Sequence, residues 1–388
     1  MSGQSDNPII VLADGLVQSA IERKASDIHL EPTSGGLRVR LRMDGMLTDY
    51  QMIDASIMLQ VISRLKVLSH INIADRRVPH DGKFTVEQAG SVVDLRVSTF
   101  PCLYGEKMVI RILDRSHNNI ALDALGMDDG MRAHFTDLIA KSHGFFLVTG
   151  PTGSGKTTTL YAALSHVNEP HKNIITLEDP IEYNVEGITQ GQVNPDAGFS
   201  FSKGIRSILR QDPDILMVGE IRDTETARTA IEAALTGHLV LSTLHTNDAP
   251  GAIMRLIDMG IEPFLINAAV TGVLAQRLAR KICSDCKELV ASQQTDRAVF
   301  DRIGIDLDRV YKGVGCSACL GTGYKGRTGI FELLSISPAM RSLIMQKPCL
   351  DQLYAQARID GMSTLHQDGV QKIRDGIITP HELIRSIF

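Results

Sequence analysis

Residues 150–157 read Gly-Pro-Thr-Gly-Ser-Gly-Lys-Thr, a complete phosphate-loop spacing between an apolar run and a helical one. Each residue type has a task. Gly150, Pro151, Thr152, Gly153, Ser154 and Gly155 form a loop whose backbone N–H groups can wrap a β-phosphate, and the helix that follows adds its dipole. Lys156 reaches the β- and γ-phosphates, Thr157 offers a hydroxyl to Mg2+, and Thr158 follows in the same turn. The chemistry is binding of a nucleoside triphosphate with Mg2+ and transfer of its terminal phosphoryl group.

That transfer needs acids and cations around the loop. Residues 214–220, Asp-Ile-Leu-Met-Val-Gly-Glu, are an apolar strand ending near an acid. The acid expected directly after the apolar run is replaced by Gly219, so Glu220, one step on, would hold Mg2+ or orient the attacking water. Residues 175–182, Ile-Thr-Leu-Glu-Asp-Pro-Ile-Glu, end a second strand in acids, at the carboxyl edge where α/β sheets bind ligands. Glu178 is a candidate general base there and Glu182 a candidate polar or metal ligand. The base role stays open between Glu178 and Glu220. His238 and His245 flank one apolar run, at opposite ends of a strand, without metal spacing to each other. Arg206 and Arg210 lie one helical turn apart; Arg96 and Arg111 sit on separate strands near the start. By residue type alone these four are surface arginines.

Cys283 and Cys286, with Cys316 and Cys319, make two Cys-x-x-Cys knuckles. In a reducing compartment four thiolates suit a closed tetrahedral Zn2+ site rather than disulfides. The spacer 287–315 exceeds the usual 15–20 residues and must hold a helical insert. Cys102 and Cys349 read as packed thiols.

The elements that must position these groups fall into two patterns. In the first 115 residues a helix with Leu12, Leu16, Val17, Ala20 and Ile21 on its stripe precedes alternating strands, Leu37, Val39, Leu41 and Met43 set against Arg38, Arg40 and Arg42. Asp44 and Gly45 mark a hairpin turn. This is a small α+β domain. Its basic and acidic side chains balance, so the net charge of −5 lies in the remainder and composition shows no basic face. Residues 116–125 read as a linker. From Gly144 short apolar strands alternate with helices, the mark of an α/β domain with a mainly parallel sheet. With 388 residues, 43% hydrophobic and 22% charged, the chain has several globular cores and is neither disordered nor collagenous. The start lacks a secretory signal pattern, and the most apolar stretch, 264–275, is too short for a membrane span.

Together the motifs resemble the hexameric ATPases of type II secretion and type IV pilus assembly, the GspE/PilB group. The resemblance covers about residues 9–388. It rests on residues 25–32 (Ala-Ser-Asp-Ile-His-Leu-Glu-Pro), 42–45 (Arg-Met-Asp-Gly), 77–82 (Arg-Val-Pro-His-Asp-Gly), 94–99 (Asp-Leu-Arg-Val-Ser-Thr), the phosphate loop, the acids from 177, 209–214 (Leu-Arg-Gln-Asp-Pro-Asp), 219–223 (Gly-Glu-Ile-Arg-Asp), the histidine box 236–247, 274–278 (Leu-Ala-Gln-Arg-Leu) and the four cysteines.

The resemblance implies a PAS-like α+β N-terminal domain (1–115) and a linker (116–125). A RecA-like P-loop ATPase core (126–280), a four-cysteine zinc subdomain (281–330) and a C-terminal helical region (331–388) follow. It implies a homo-hexamer that uses ATP, Mg2+ and structural Zn2+, with each active site in the cleft between the two domains of a subunit. Arg96 and Arg111 then reach the γ-phosphate with Arg206 and Arg210, and His238 and His245 form a phosphate-sensing element. The implied partners are an inner-membrane platform protein and the cytoplasmic domain of a membrane-anchored adaptor, at a cytoplasmic, peripheral location. Many assembly ATPases carry a further N-terminal docking module, for which the stretch before Ser26 leaves no room. The cysteines favour assembly or secretion over retraction. A DNA-uptake or conjugation motor is the alternative within the same superfamily, and a nucleotide-switched scaffold is another. No basic, aromatic-interleaved pore segment is present, so no nucleic acid is expected.

Overall fold

The computed structural model describes residues 7–88, 90–114, 121–292 and 297–388, which fall into two compact units, 1–118 and 119–388. In the linker reading, 116–120 lie outside the described residues, and Leu122–Leu125 is a turn of 3-10 helix.

The first unit is a helix α1 (Pro8–Glu22), strands β1 (Asp27–Thr33), β2 (Gly36–Met43) and β3 (Met46–Ile53), helix α2 (Ala55–Leu68), then strands β4 (His80–Gln88), β5 (Ser91–Cys102) and β6 (Gly105–Asp114). The side chains of Asn7 and Asp54 cap the two helices by accepting backbone N–H groups that the first turn leaves unpaired. The strands form one antiparallel sheet in the order β3-β2-β1-β6-β5-β4. Alternation sorts the side chains by face. Ile28, Leu30, Leu37, Val39, Leu41, Leu95, Val97 and Ile110 are buried with the apolar stripes of α1 and α2. On the other face of β2, Arg38 pairs with Asp49, Arg40 with Glu31 and Arg42 with Asp27. A balanced composition therefore conceals a face on which basic residues are gathered by strand period.

The second unit begins with α3 (Asp129–Ile139) and then alternates: β7 (Gly144–Thr149), α4 (Lys156–Val167), β8 (Ile174–Glu178), β9 (Thr189–Gln192), α5 (Phe201–Ile208), β10 (Ile215–Val218), α6 (Thr224–Leu235), β11 (Leu239–Leu244), α7 (Ala249–Asp258) and α8 (Pro263–Ala269). The long strand β12 (Val270–Ile282) follows. The cysteine region then holds β13 (Lys287–Ala291), α9 (Arg297–Ile303) and β14 (Arg309–Gly313); β15 (Tyr324–Ser335) and α10 (Pro338–Ile344), α11 (Leu350–Ile359), α12 (Leu365–Arg374) and α13 (Pro380–Ile387) end the chain. Seven strands form a sheet in the order β15-β12-β7-β11-β10-β8-β9, parallel except for β15. Strands β7, β8, β10 and β11 are buried throughout, with core on both sheet faces. The insert within 287–315 is a helix framed by a two-stranded hairpin. Strand β15 runs through residue 330, so the polypeptide after the cysteines re-enters the main sheet before it turns helical.

Two cysteine expectations are corrected. Cys102 and Cys349 are exposed, not packed. Cys102 ends β5 at the tip of the β5–β6 hairpin, and Cys349 is the residue before α11; neither position has a core behind it.

Candidate active site and metal centre

A parallel sheet presents the carboxyl ends of its strands along one edge. The order β7-β11-β10-β8 lines up the residues after Thr149, Leu244, Val218 and Leu177 on that edge. These are the phosphate loop, His245, Glu220 and Glu178. Four segments far apart in sequence thus converge because their strands run the same way.

The loop is held from behind. Gly150 and Gly155 have φ of 149° and 90°, and a Cβ on them would stand 2.5 Å from the Gln276 carbonyl oxygen and 2.8 Å from Gln276 Nε2. Only glycine lets the loop lie this close to β12. Thr159, one turn into α4, donates to Gln276 Oε1 at 2.7 Å. Thr149 ties the loop to the histidine box, with its Oγ1 2.8 Å from Thr246 Oγ1 and accepting from Thr246 N at 2.9 Å. The 274–278 motif therefore gains a physical role, as Gln276 supports the loop and Arg277 donates to the Asn247 carbonyl at 2.8 Å. Gln276, Arg277 and Thr149 were missed as site residues because their roles depend on which strand neighbours β7.

Three features fit the loop to a nucleotide's phosphates. Ser154 Oγ is buried without a hydrogen-bond partner. Gly153 and Gly155 take positive φ, the turn that points successive N–H groups into one concavity. Lys156 is buried and folds back to donate to the carbonyls of Gly150 (2.8 Å) and Pro151 (3.1 Å), partners that phosphate oxygens would replace. Burial pushes the Lys156 ammonium down to about 8, with the Glu220 carboxylate opposing that fall and Arg277 adding to it. Thr157 is exposed beside it at the start of α4.

The two glutamates differ. Glu178 is 3% exposed and takes three donors: Tyr161 Oη, Thr176 Oγ1 at 2.6 Å and Gln190 Nε2 at 3.1 Å. Burial, then the Glu178 carboxylate, pushes the Tyr161 phenol well above its ordinary range, so it stays a donor. Glu220 stands at the edge with Arg222 on Oε1 and His245 Nε2 3.3 Å from Oε2, and its charge favours the Lys156 ammonium. Glu182 is exposed.

The histidine box divides. His245 reaches Glu220, whereas His238 lies before β11, its Nδ1 2.9 Å from the Ala233 carbonyl at the end of α6. Six strand residues, about 20 Å, separate that amino edge from the phosphate loop. The structure does not bring His238 to the loop of its own chain. Arg206 pairs with Glu225 at 3.0 Å and Arg210 donates to the Arg206 carbonyl at 2.7 Å; none of these bonds goes to the loop. Arg96 and Arg111 face each other across β5 and β6, and Arg111 also pairs with Asp27 at 3.2 Å.

In the cysteine region the four Sγ atoms of Cys283, Cys286, Cys316 and Cys319 lie within 4.8 Å of one another. Three of the separations are 3.8, 3.8 and 3.7 Å. A tetrahedron of sulfurs at the Zn–S length of ~2.3 Å has edges of about 3.8 Å. Backbone N–H groups of Cys316 and Gly323 each donate to Cys319 Sγ at 3.2 Å. Burial works to raise that thiol, but these donors outweigh it and bring it to about 6. Burial pushes the neighbouring Cys286 up to about 12, so within the cluster Cys319 is the thiol readiest to meet a soft cation as a thiolate.

The chain matches the family described as "Type II/IV secretion system protein" over residues 2–385. It is 46% identical over 385 residues to the Type II secretion system ATPase E of Vibrio cholerae, covering 99% of this chain and 76% of that protein. It is 46% identical over 374 residues to the Type IV pilus assembly ATPase PilB of Thermus thermophilus, covering 95% of this chain and 42% of that protein. Among solved structures, the pilus retraction motor PilT with bound ADP aligns with a TM-score of 0.63 and 28% identity, over 95% of each chain. A phosphate loop with acids gathered at one sheet edge, in the same unit as a four-thiol cluster, thus sits in a sequence matched almost end to end: the protein belongs to the type II secretion/type IV pilus ATPase family, the GspE/PilB group of ATP-hydrolysing P-loop enzymes.

Proposed function

We propose that this chain is the Mg2+-dependent ATPase motor of a pilus-assembly or type II secretion apparatus, working as a homo-hexamer in the cytoplasm. Its partners would be an inner-membrane platform protein and the cytoplasmic part of a membrane-anchored adaptor. The carrying observation is the convergence of the phosphate loop, Glu220 and His245 on one sheet edge. Backbone N–H groups of 152–155 and Lys156 bind the phosphates, and Thr157 with Glu220 would hold Mg2+, which neutralises charge as the γ-phosphoryl group leaves. Glu220 orients the attacking water and His245 orients Glu220. Arg96, Arg111, Arg206 and Arg210 add positive charge at the γ-phosphate, a role that rests on the family's pattern. Glu178 is a positioning residue, locked by Tyr161, Thr176 and Gln190. The test is phosphate release from ATP by the assembled protein: release with Mg2+ and loss with a chelator supports the reading, and a ring with no Mg2+-dependent release sinks it.

The four-cysteine cluster would hold structural Zn2+, since four thiolates fill the coordination sphere and leave no position for a substrate. Elemental analysis of pure protein should give about one zinc per chain. Cys319→Ser should lose that zinc and expose 281–330 to proteolysis, because metal binding supplies folding energy to such sites. A metal-free preparation with the same resistance to protease would remove the assignment.

A further inference from the structure

Among the cations of the first unit that fall outside every motif named above is one on β4. Lys83 on β4 is directly opposite Arg96 on β5, and Arg96 is directly opposite Arg111 on β6. Neighbouring strands lie about 4.8 Å apart, so three cations stand in a row about 10 Å long. Like charges placed directly opposite destabilise a sheet. Asp27 relieves Arg111, but among the described residues no ion pair relieves Lys83 or Arg96. The row lines a hollow of about 650 Å³ with Asp81, Gly82 and Ser98, in which Asp81 is the single acid. The floor of this hollow is fixed. A Cβ on Gly82 would stand 2.3 Å from the Ser69 carbonyl and 2.7 Å from the Ile71 side chain, so β4 lies tight against the end of α2 and Lys83 is carried on a rigid base.

We propose that Lys83 joins Arg96 and Arg111 in a three-cation site for a phosphate group. An anion of two charges relieves the uncompensated pair, and charge-assisted bonds from Lys83 and Arg96 hold it while Asp27 fixes the attitude of Arg111. Taking that phosphate to be the terminal group of a nucleoside triphosphate rests on the proposed ATPase function; the cross-strand row itself does not.

The experiment uses the full chain, its Lys83→Gln and Lys83→Arg variants, and three ligands: ADP, a non-hydrolysable ATP analogue and inorganic pyrophosphate. Lys83→Gln should weaken the ATP analogue about tenfold, as one charge-assisted bond is lost, and ADP less than about twofold. Lys83→Arg should stay within about threefold of the parent, which a purely steric role for lysine would not produce. Lys83→Arg should melt with the parent and Lys83→Gln at or slightly above it, because Lys83 is exposed and loss of its charge relieves the contact with Arg96. A loss confined to pyrophosphate keeps the three-cation site and makes its occupant a free anion. No ligand shifting by more than about twofold overturns the proposal. If Lys156→Ala abolishes turnover while Lys83→Gln changes nothing, this site fails and the ATPase reading stands. If Lys156→Ala is silent, the ATPase reading fails independently.

Discussion

Lys156→Ala should lower phosphate release from ATP by at least about a hundredfold and weaken ATP binding about tenfold, with the fold intact. The first figure follows from removing one fixed cation from the place where charge moves in phosphoryl transfer, and the second from losing one charge-assisted bond in the ground state. The fold should survive because, among the described residues, the Lys156 ammonium bonds only to two carbonyls of its own loop, those of Gly150 and Pro151. The same side chain predicts a pH effect. Burial holds it at about 8, and phosphate binds the charged form, so charge and affinity are present at pH 7 and lost as pH rises through 8. ATP affinity of the parent should fall several-fold from pH 7 to pH 9, with proton uptake on binding near pH 8 visible as a buffer-dependent calorimetric enthalpy. Lys156→Ala should show neither. Phosphate release within twofold of the parent in that variant would end the assignment of this loop as the ATPase site.

What could be read from sequence was whatever depends on neighbours along the chain. The phosphate loop needs eight consecutive residues, and each cysteine knuckle needs four, so both are legible before any fold is known. The strands β7, β8, β10 and β11 are legible because most of their positions are apolar, and buried parallel strands read as near-continuous runs. What was not legible depends on which strands become neighbours. Glu178 and Glu220 are both acids near the end of an apolar run. Only the fold places Tyr161 from α4 and Gln190 from β9 around the first, and His245 from beyond β11 beside the second. The sequence puts His238 and His245 at opposite ends of one strand, and only the neighbours of β11 show which end meets Glu220. Lys83 is an unremarkable lysine until the register sets it against Arg96. The exposure of Cys102 likewise follows from the length of the β5–β6 hairpin, a tertiary fact with no local signature.

The two glutamates can be separated by the same substitution at each. Glu220→Gln should lower turnover by about a hundredfold to ten-thousandfold, the range for loss of a positioned base, while ATP affinity and thermal stability stay close to the parent. Its carboxylate is at the sheet edge, paired with Arg222 and His245, and a glutamine of the same shape can keep a contact to each. Glu178→Gln should do the reverse. The buried carboxylate accepts from three donors at once, and an amide nitrogen in place of the oxygen that faces Tyr161 makes the phenol an acceptor and leaves its proton without a partner. A buried donor left unmatched costs about 1–3 kcal/mol, so the midpoint of thermal unfolding should fall. Turnover should fall with it only as far as β8 shifts the loop. Thr176→Val removes one of the three donors without touching a charge, and it should reproduce part of the stability loss with turnover near the parent. Reading turnover and melting on the same preparations separates the roles. Should Glu178→Gln abolish phosphate release at an unchanged melting point while Glu220→Gln retains it, the base would be the buried acid. Tyr161, which the structure holds as a protonated donor on Glu178, would then have to move before each turnover.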